Sequence, residues 1–381
     1  MKAIGIVAEY NPFHNGHLYQ INKIKEKYPD YAIVVVMTGN FTERGDVSII
    51  NKFTRSEIAL LNGVDLVVEL PFPFATQSAD TFAYGAITIL EKLNVEKVIF
   101  GSESDNVKDL EEIVECQLNN NEFDRLVHIY SKFGNNYPTS LSLALKDLTG
   151  KIIDTPNDLL GISYIKAIKQ NNYKIKYETI KRTNDYHNKL IDNEISSATA
   201  IRLALKNNED ISKLIPENEL NKLNNLHFIE DYFPYLKYKI ITEKDLSIYQ
   251  TVSEGIENLM KKQIINCNSY SSFVNSLVSK RYTNNKVQRM LLHILVGFTK
   301  EEASIMKNIS YIRLLGFSDK GRLYLNSIKK ELDIPLISKI NRTKDKMLEK
   351  EIETTKIYAL PYNNYLEEIE NEYKNHLNKG E

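Results

Sequence analysis

The residues best suited to chemistry lie near the start of the chain, where two histidines stand three positions apart. The segment 9–17 reads E-Y-N-P-F-H-N-G-H and directly follows an apolar run. Pro12 restricts the turn, and Gly16 lets the backbone approach a ligand closely because it has no side chain. His17 falls in the first turn of a predicted helix, where free backbone N–H groups and the helix dipole favour an anion. His14 and His17 can therefore donate hydrogen bonds to phosphate oxygens and stabilise the charge that develops during displacement at phosphorus.

Two other interpretations of this segment compete with a phosphate site. An isolated H-x-G-H is more often an ordinary loop and helix start, but here a strand, a proline turn and a helix surround it. A pair of histidines can also hold a metal ion. Only Glu9 is near enough in sequence to serve as a third ligand, so we predict no metal site formed by the protein.

The elements around the histidines alternate between strands and helices. Apolar runs predict strands at residues 3–8, 32–37, 66–70 and 98–101. Helical spacing predicts helices at 16–27, from a cap at Thr54 to residue 61, and at 79–93. Continuous β-branched runs separated by helices indicate a Rossmann-like α/β fold with a parallel sheet covered on both faces. Ligands of such sheets bind beyond the carboxyl ends of the strands, which is where the histidines lie.

The rest of the chain is more helical. We predict a helix after Pro156, a strand at residues 174–180 and a helix that begins near Ser196 and Ser197. From residue 211 onward the pattern is mostly helical, without strand alternation. A polar cluster at 207–209 predicts a boundary between an α/β domain, 1–207, and a mainly helical domain, 208–381.

Composition narrows the class of protein. The only two cysteines, Cys116 and Cys267, are far apart and have no metal-type spacing, which is typical of a reducing compartment. The N-terminus turns polar too early for a signal peptide, and no apolar run is long enough to cross a membrane. We therefore predict a cytoplasmic protein without a membrane partner.

Net charge is −1, but residues 280–346 carry 15 Lys and Arg against 6 Asp and Glu. A local excess of this kind can bind a nucleic-acid backbone, although solvated helix faces are the simpler interpretation of any one lysine-rich stretch. The candidate backbone contacts are Lys280, Arg281, Lys286 and Arg289. The tyrosines in the same region can stack on bases unless they are buried in the core; these are Tyr282, Tyr311 and Tyr324.

The histidine segment resembles the H-I-G-H signature of the nucleotidyltransferase superfamily, which includes class I aminoacyl-tRNA synthetases and small adenylyltransferases. That resemblance implies adenylyl transfer from ATP, release of pyrophosphate and Mg²⁺ carried by ATP. The longer motifs M-T-G-N-F-T-E-R-G, L-V-V-E-L-P-F, F-G-S-E and I-S-S-A-T-A-I-R extend it. Together they resemble the bacterial tRNA(Met) cytidine acetate ligase family. This implies that the protein forms acetyl-adenylate from ATP and acetate, then acetylates N4 of the wobble cytidine of elongator tRNA(Met).

The same resemblance assigns a set of ATP contacts. It comprises Gly101, Asn157 and Arg182, and the continuous stretch Val7, Ala8, Glu9, Tyr10, Asn11, Pro12, Phe13, His14, Asn15, Gly16, His17, Leu18, Tyr19 and Gln20. Taken alone, Gly101 is equally well a turn glycine, Asn157 a helix cap and Arg182 a partner for any carboxylate. The I-S-S segment resembles a second phosphate motif but has Ala198 in place of threonine, so it is not included among the predicted contacts.

Two alternative functions remain open at this point. A plain adenylyltransferase acting on a small phosphorylated metabolite would show the same H-x-G-H and I-S-S motifs, but it rarely needs a large helical second domain. A non-catalytic RNA-binding protein could retain this scaffold. The presence of both histidines and Gly16 argues against that possibility.

Overall fold

The computed structural model describes residues 1–152, 154–182, 197–340 and 344–374. One seven-stranded sheet lies at its centre, in the order β5-β4-β1-β2-β3-β6-β7. Neighbouring strands are parallel except β3 and β6, which are antiparallel. The strands are β1 (Ala3–Ala8), β2 (Ala32–Thr38), β3 (Leu66–Leu70), β4 (Lys97–Ser102), β5 (Lys176–Lys181), β6 (Ile312–Phe317) and β7 (Leu336–Ile337).

Helices cover the sheet and dominate the second half of the chain. Those before residue 207 are α1 (Asn15–Lys27), α2 (Lys52–Leu61), α3 (Phe72–Ala75), α4 (Ala79–Lys92), α5 (Val107–Asn119), α6 (Asn121–Lys132), α7 (Tyr137–Thr149), α8 (Pro156–Gln170) and α9 (Ala198–Lys206). Those after it are α10 (Glu217–Leu220), α11 (Phe233–Thr242), α12 (Ile256–Gln263), α13 (Tyr270–Leu277), α14 (Asn284–Val296), α15 (Lys300–Ile305), α16 (Asp319–Ile328), α17 (Lys346–Ala359) and α18 (Tyr365–Tyr373). None of the helices in the described part of the chain has the length and apolarity needed to cross a membrane.

The order of the strands reverses at β1. From there β2 and β3 follow on one side, and β4 and β5 lie on the other. Strand β1 pairs with β2 along its whole length, but it pairs with β4 only through Ile4 and Gly5. The carboxyl ends of β1 and β4 therefore frame a crevice at the switch point, where α/β sheets bind their ligands.

The predicted α/β fold class with a mostly helical second half is confirmed, with small differences at element ends. Helix α2 begins at Lys52 rather than after Thr54 because the Asn51 side chain caps it, accepting the Thr54 N–H at 2.9 Å. Helix α9 begins at Ala198 and is capped by Ser197, while Ser196 lies outside the described residues.

Strands β6 and β7 were not predicted. Strand β6 is buried and carries Arg313, which forms ion pairs with Glu69 of β3 at 3.1 Å and with Glu372 of α18 at 2.5 Å. Arg313 interrupts an otherwise apolar run, and the run does not alternate between polar and apolar residues. The sequence pattern therefore did not predict a strand here. Residues from both predicted domains thus share one sheet, and the boundary near residue 207 stays a prediction.

Candidate functional site

His14 and His17 meet at the carboxyl end of β1. Their rings stack with centroids 3.7 Å apart and planes inclined by 23°. His14 caps α1: its Nδ1 accepts the Gly16 N–H at 3.1 Å, while the His14 N–H donates to His17 Nδ1 at 3.2 Å. The H-x-G-H spacing therefore builds a reciprocal cap that fixes both imidazoles.

This cap decides the chemical form of the two rings. Because each Nδ1 accepts a backbone hydrogen bond, each neutral ring carries its proton on Nε2. Burial lowers the pKa of His14 to about 3, with a further contribution from the positive charges of Arg182 and Arg202. Burial, His14 and Arg182 likewise hold the pKa of His17 well below its usual range. At neutral pH the site presents two uncharged Nε2–H donors.

Several side chains of the predicted ATP stretch hold this loop in place instead of facing the crevice. Tyr10 and Phe13 are buried and pack against the His17 ring at 4.8 and 5.5 Å between centroids. The Asn11 side chain is buried, accepts the Ile49 N–H at 2.7 Å and donates to Val47 O at 3.3 Å. The Asn11–Pro12 peptide is cis.

A segment after α9 clamps the other side of the loop. Asn15 donates its N–H to Leu214 O at 3.1 Å and its Nδ2 to Lys213 O at 2.8 Å. From within α9, Arg202 donates to Asn11 O at 2.7 Å, which places its guanidinium beside the histidine loop. Arg202 lies in the I-S-S-A-T-A-I-R segment that the sequence analysis left outside the predicted contacts.

The opposite wall of the crevice is built by β4, β5 and α8. Gly101 is the half-buried residue before the last residue of β4, and a Cβ there would lie 3.2 Å from Arg182 Cγ. Arg182 therefore lies across the strand end, with Nε 3.8 Å from Glu103 Oε1. Asn157 donates to the same Glu103 oxygen at 2.5 Å. Helix α8 begins after a cap at Thr155, so Asn157 is not the cap.

The remaining predicted residues lie at the end of β1 and in the first half of α1. Val7 and Ala8 end β1 where it has separated from β4, and both are half-buried. Gln20 reaches across to β4, donating to Ile99 O at 3.3 Å. Leu18 packs on the core, and the Tyr19 ring lies 5.9 Å from the Lys23 ammonium. The structure thus places the predicted residues at the carboxyl ends of β1, β4 and β5, in the loop before α1, in α1 and at the start of α8.

A loop after β2 closes the site on the side of the helical half. Glu9 accepts the Glu43 N–H at 2.8 Å, and Glu43 Oε1 pairs with Arg289 of α14 at 2.8 Å. Gly45 has φ +81°, and a Cβ there would lie 2.5 Å from the Arg289 backbone N. Arg55 is buried and donates to the carbonyls of Glu9 and Gly39, joining the ends of β1 and β2. Sequence reasoning missed Glu43, Glu103 and Arg55 because each acts on residues far away in the chain.

The basic residues predicted to bind RNA do not form one uniform surface. Lys280 and Arg281 are exposed, and Arg281 pairs with Glu254 at 2.8 Å. Lys286 lies 4.9 Å from the centre of the Tyr282 ring. Arg289 is engaged by Glu43, as described above. The candidate stacking tyrosines are buried and therefore unavailable to bases in this conformation; they are Tyr282, Tyr311 and Tyr324.

A buried carboxyl lies behind the histidine loop. Glu219 of α10 has no exposed surface, and neither carboxyl oxygen has a hydrogen-bond partner in the described part of the chain. It lies beside the Phe13 backbone, and burial raises its pKa from 4.5 to about 9. The folded protein therefore keeps this carboxyl protonated at neutral pH.

Glu219→Gln is expected to flatten the dependence of stability on pH. Between about pH 4.5 and 9 the unfolded chain releases the Glu219 proton while the folded chain keeps it, so this group lowers the free energy of unfolding by about 1.4 kcal/mol per pH unit as pH rises. Urea unfolding at pH 5, 6.5 and 8 measures the effect. The exposed Glu217 on the same short helix gives the matched control, Glu217→Gln. Equal pH slopes in wild type and Glu219→Gln would contradict the assignment.

Among the residues that the structure describes, no group of three or more His, Cys, Asp or Glu side chains is placed to hold a metal ion. The positive charges at the crevice are guanidinium groups, and the histidines contribute neutral N–H donors. This arrangement suits an anion, above all the phosphates of a nucleotide.

Comparison with known proteins places this geometry in a family. The family model described as HIGH Nucleotidyl Transferase matches residues 1–373. The tRNA(Met) cytidine acetate ligase of Geobacillus sp. is 40% identical over 378 residues, covering 94% of both chains. The ligase of the same name from Caldicellulosiruptor saccharolyticus is 40% identical over 394 residues, covering 99% of this chain and 98% of the relative.

Solved structures of a protein from Thermotoga maritima have the same fold as this chain. The apo structure of Thermotoga maritima TmcAL superimposes with a TM-score of 0.88 at 30% identity, covering 97% of this chain and 96% of that one. A structure of the same protein bound with alpha-thio ATP gives a TM-score of 0.86 at 30% identity, covering 95% of each chain.

Proposed function

The chain belongs to the HIGH nucleotidyltransferase family, and we propose that it is an ATP-dependent ligase that acetylates N4 of the wobble cytidine of elongator tRNA(Met). The observation that carries the proposal is the pair of neutral Nε2–H donors flanked by Arg182 and Arg202 at the switch point of the sheet. The relatives named tRNA(Met) cytidine acetate ligase support the substrate because they match almost the whole chain at 40% identity. With tRNA as its substrate, we expect the protein to act in the cytoplasm.

In the first step, an acetate oxygen attacks the α-phosphorus of ATP and pyrophosphate leaves. His14 and His17 donate from Nε2 to the phosphate oxygens on which charge increases, and they need no proton change to do so. Arg182 and Arg202 neutralise the remaining phosphate charge. The product, acetyl-adenylate, is a mixed anhydride whose carbonyl carbon is open to a weak nucleophile.

In the second step, the exocyclic amine of cytosine attacks that carbonyl carbon and AMP leaves. The amine is a weak nucleophile because its lone pair is delocalised into the ring. Chemistry on this atom requires a base that is splayed out of the anticodon stack, as in enzymes that act on single-stranded bases. The helical half, which touches the site through the contact between Arg289 and Glu43, is the part of the chain that we expect to hold the RNA.

We expect Mg²⁺ to reach the site bound to ATP. No resident cation site is formed by the described residues, so we expect the ion to be bound by the phosphates of the nucleotide. Bound there, it would neutralise phosphate charge next to Arg182 and Arg202.

The first step is tested by acetate-dependent exchange of labelled pyrophosphate into ATP. Exchange that requires acetate, without tRNA, supports the ligase. Pyrophosphate release that needs a phosphorylated metabolite instead would support a plain adenylyltransferase, and no turnover with any acceptor would leave a non-catalytic RNA-binding protein.

Neutralising three basic residues is expected to weaken tRNA binding. Alanine at Lys280, Arg281 and Lys286 should lower the affinity for tRNA. The slope of log affinity against log salt concentration should also become shallower, by an amount that corresponds to the loss of up to about three phosphate contacts. Filter binding across a range of salt concentrations measures both. Three exposed lysines elsewhere give the control set: Lys108, Lys174 and Lys176. Equal losses in the two triple variants would show that the placement of the RNA surface is wrong.

A further inference from the structure

The tyrosines of the basic segment are buried, so they leave the bases of a bound RNA without an aromatic partner. Two other rings are open to solvent: Phe133 and Tyr137 are 78% and 60% exposed, and they flank one tight turn between α6 and α7. We propose that these two rings stack on unpaired bases of the RNA substrate, beside the cations of Lys280 and Arg281. This inference rests on the proposed ligase function and assigns the surface that holds the loop of its nucleic-acid substrate.

The turn that carries the rings is fixed by its own hydrogen bonds. The Phe133 N–H donates to Tyr130 O at 3.2 Å, and Asn135 Nδ2 donates to the same carbonyl at 3.1 Å. Gly134 permits the turn with a φ of +84°, and Asn136 caps α7 through its side-chain oxygen. Both rings therefore extend from a backbone that is already ordered, which lowers the entropy cost of binding a base.

A hydrogen bond joins this turn to the basic segment. Asn136 Nδ2 donates to Lys280 O at 3.1 Å, across 144 positions of the chain. Tyr137 directly follows Asn136, and Arg281 directly follows Lys280, so the exposed ring and the exposed cations lie on adjoining residues of this contact. Aromatic rings from the α/β half and cations from the helical half thus meet on one surface.

The charge of this surface suits an RNA backbone. Residues 126–146 contain two lysines, and residues 270–297 contain four Lys and Arg, with no Asp or Glu in either range. Arg281 pairs with Glu254 at 2.8 Å, but the Arg281 side chain is 65% exposed. An exposed ion pair contributes little stability, so Arg281 can exchange it for a phosphate. Cations beside aromatic rings are the combination by which proteins bind single-stranded RNA.

The surface lies at the same edge of the sheet as the histidines. Helices α5 to α7 follow β4 at its carboxyl end, and α5 packs on both α7 and α8, whose first turn holds Asn157. On the other side, Arg289 of α14 reaches the loop beside Glu9 through its ion pair with Glu43. Helix α14 begins at Asn284, five residues before Arg289, which corresponds to about 7.5 Å along the helix axis. The basic segment before α14 is thus close enough for one base to enter the crevice while its neighbours stay on the rings.

Stacking on these rings would offset a cost of the second step. Splaying the wobble base out of the anticodon stack removes a stacking partner from each neighbouring base. An aromatic side chain can replace that partner for any base, because every base has a π-face. We therefore expect Phe133 and Tyr137 to stabilise the opened loop without selecting its sequence.

Tryptophan fluorescence tests the stacking directly, because the chain contains no tryptophan. Phe133→Trp keeps an aromatic ring at the turn and supplies the protein's single indole. Titration with the anticodon stem-loop of elongator tRNA(Met) should quench most of its fluorescence. Tyr238→Trp on α11 is the matched control, since Tyr238 is 70% exposed, and its fluorescence should not change. Equal quenching in the two variants, or none in Phe133→Trp while the RNA binds, would overturn the proposal.

Alanine variants test the contribution of the rings to affinity. Phe133→Ala and Tyr137→Ala should each weaken tRNA binding about tenfold, the usual effect of removing one stacked ring. Because neither change removes a charge, the slope of log affinity against log salt concentration should stay that of the wild type. Tm should also stay unchanged because both rings are exposed, and Phe133→Trp and Tyr238→Ala should bind tRNA like the wild type.

Two results of these measurements would overturn the proposal. One is wild-type tRNA affinity in both alanine variants. The other is a change in the oligomeric state of Phe133→Ala without a loss of tRNA binding, since the rings would then pack against a second copy of the chain. If the wild type lacks acetate-dependent pyrophosphate exchange but RNA still quenches Phe133→Trp, the proposed function fails and the RNA surface stands.

Discussion

Replacing His17 with alanine is expected to lower acetate-dependent pyrophosphate exchange by about 10²–10³-fold, the usual cost of removing one fixed hydrogen-bond donor from a site of developing charge. The loss has two causes. The substitution removes the Nε2–H donor of His17, and it also removes the Nδ1 acceptor that holds the His14 N–H at 3.2 Å. His14→Ala should have an effect of similar size because its Nδ1 caps Gly16.

Two controls make this result specific. His128→Ala removes an exposed imidazole from α6 and should leave exchange unchanged. Since the pKa of His14 is about 3 and that of His17 is also low, wild-type exchange should show no histidine inflection between pH 5 and 8. Exchange by His17→Ala within threefold of the wild type would contradict the assigned role.

Replacing Lys52 with methionine is expected to destabilise the protein by about 3–5 kcal/mol, the usual cost of leaving buried charges without their partner. The Lys52 ammonium is fully buried and lies 2.6 Å from Glu69 Oε1, 2.7 Å from Glu372 Oε1 and 3.4 Å from Glu351 Oε1. Against the effect of burial, Arg313 and Lys52 lower the pKa of Glu372 to about 2. Burial and the charge of Glu69 raise that of Glu351 to about 8. Without Lys52, this cluster of carboxyls retains a single cation.

Urea unfolding of the wild type and of Lys52→Met measures the loss of free energy of unfolding. Lys92→Met is the control. Lys92 pairs with Asp333 at 2.7 Å, but Asp333 is 68% exposed, so its removal should change the free energy of unfolding by no more than about 1 kcal/mol. Similar urea midpoints for the two variants would show that the ion pairs of Lys52 with Glu69, Glu351 and Glu372 do not stabilise the fold.

The strands around the site were predictable because their signal is local. Strands β1 to β4 are apolar, β-branched runs that end in turn residues, and their parallel order follows from the helices between them. Strand β6 was not predictable in the same way. Arg313 is tolerated inside it only because Glu69, 244 positions earlier, and Glu372, 59 positions later, neutralise it. A local pattern carries no information about such distant partners.

In the candidate site, too, the features set by neighbouring residues were predictable and those set by distant residues were not. The H-x-G-H residues are contiguous, so their type and spacing predicted a phosphate site. The tautomer of each ring was not predictable, since it depends on which backbone N–H reaches each Nδ1. Asn11 looked like a nucleotide contact, but its side chain holds the turn at 47–49. Arg289 looked like a free basic residue, but Glu43 from a loop 246 positions away engages it.

The most direct test of the central claim is to incubate the purified protein with ATP, Mg²⁺, labelled acetate and total bacterial tRNA, and to analyse the digested RNA by mass spectrometry. We predict N4-acetylcytidine in the wild-type reaction, at the wobble position of elongator tRNA(Met), and its loss in His14→Ala and His17→Ala but not in His128→Ala. Labelled acetate that never appears in RNA, while pyrophosphate is still released with another acceptor, would contradict the account.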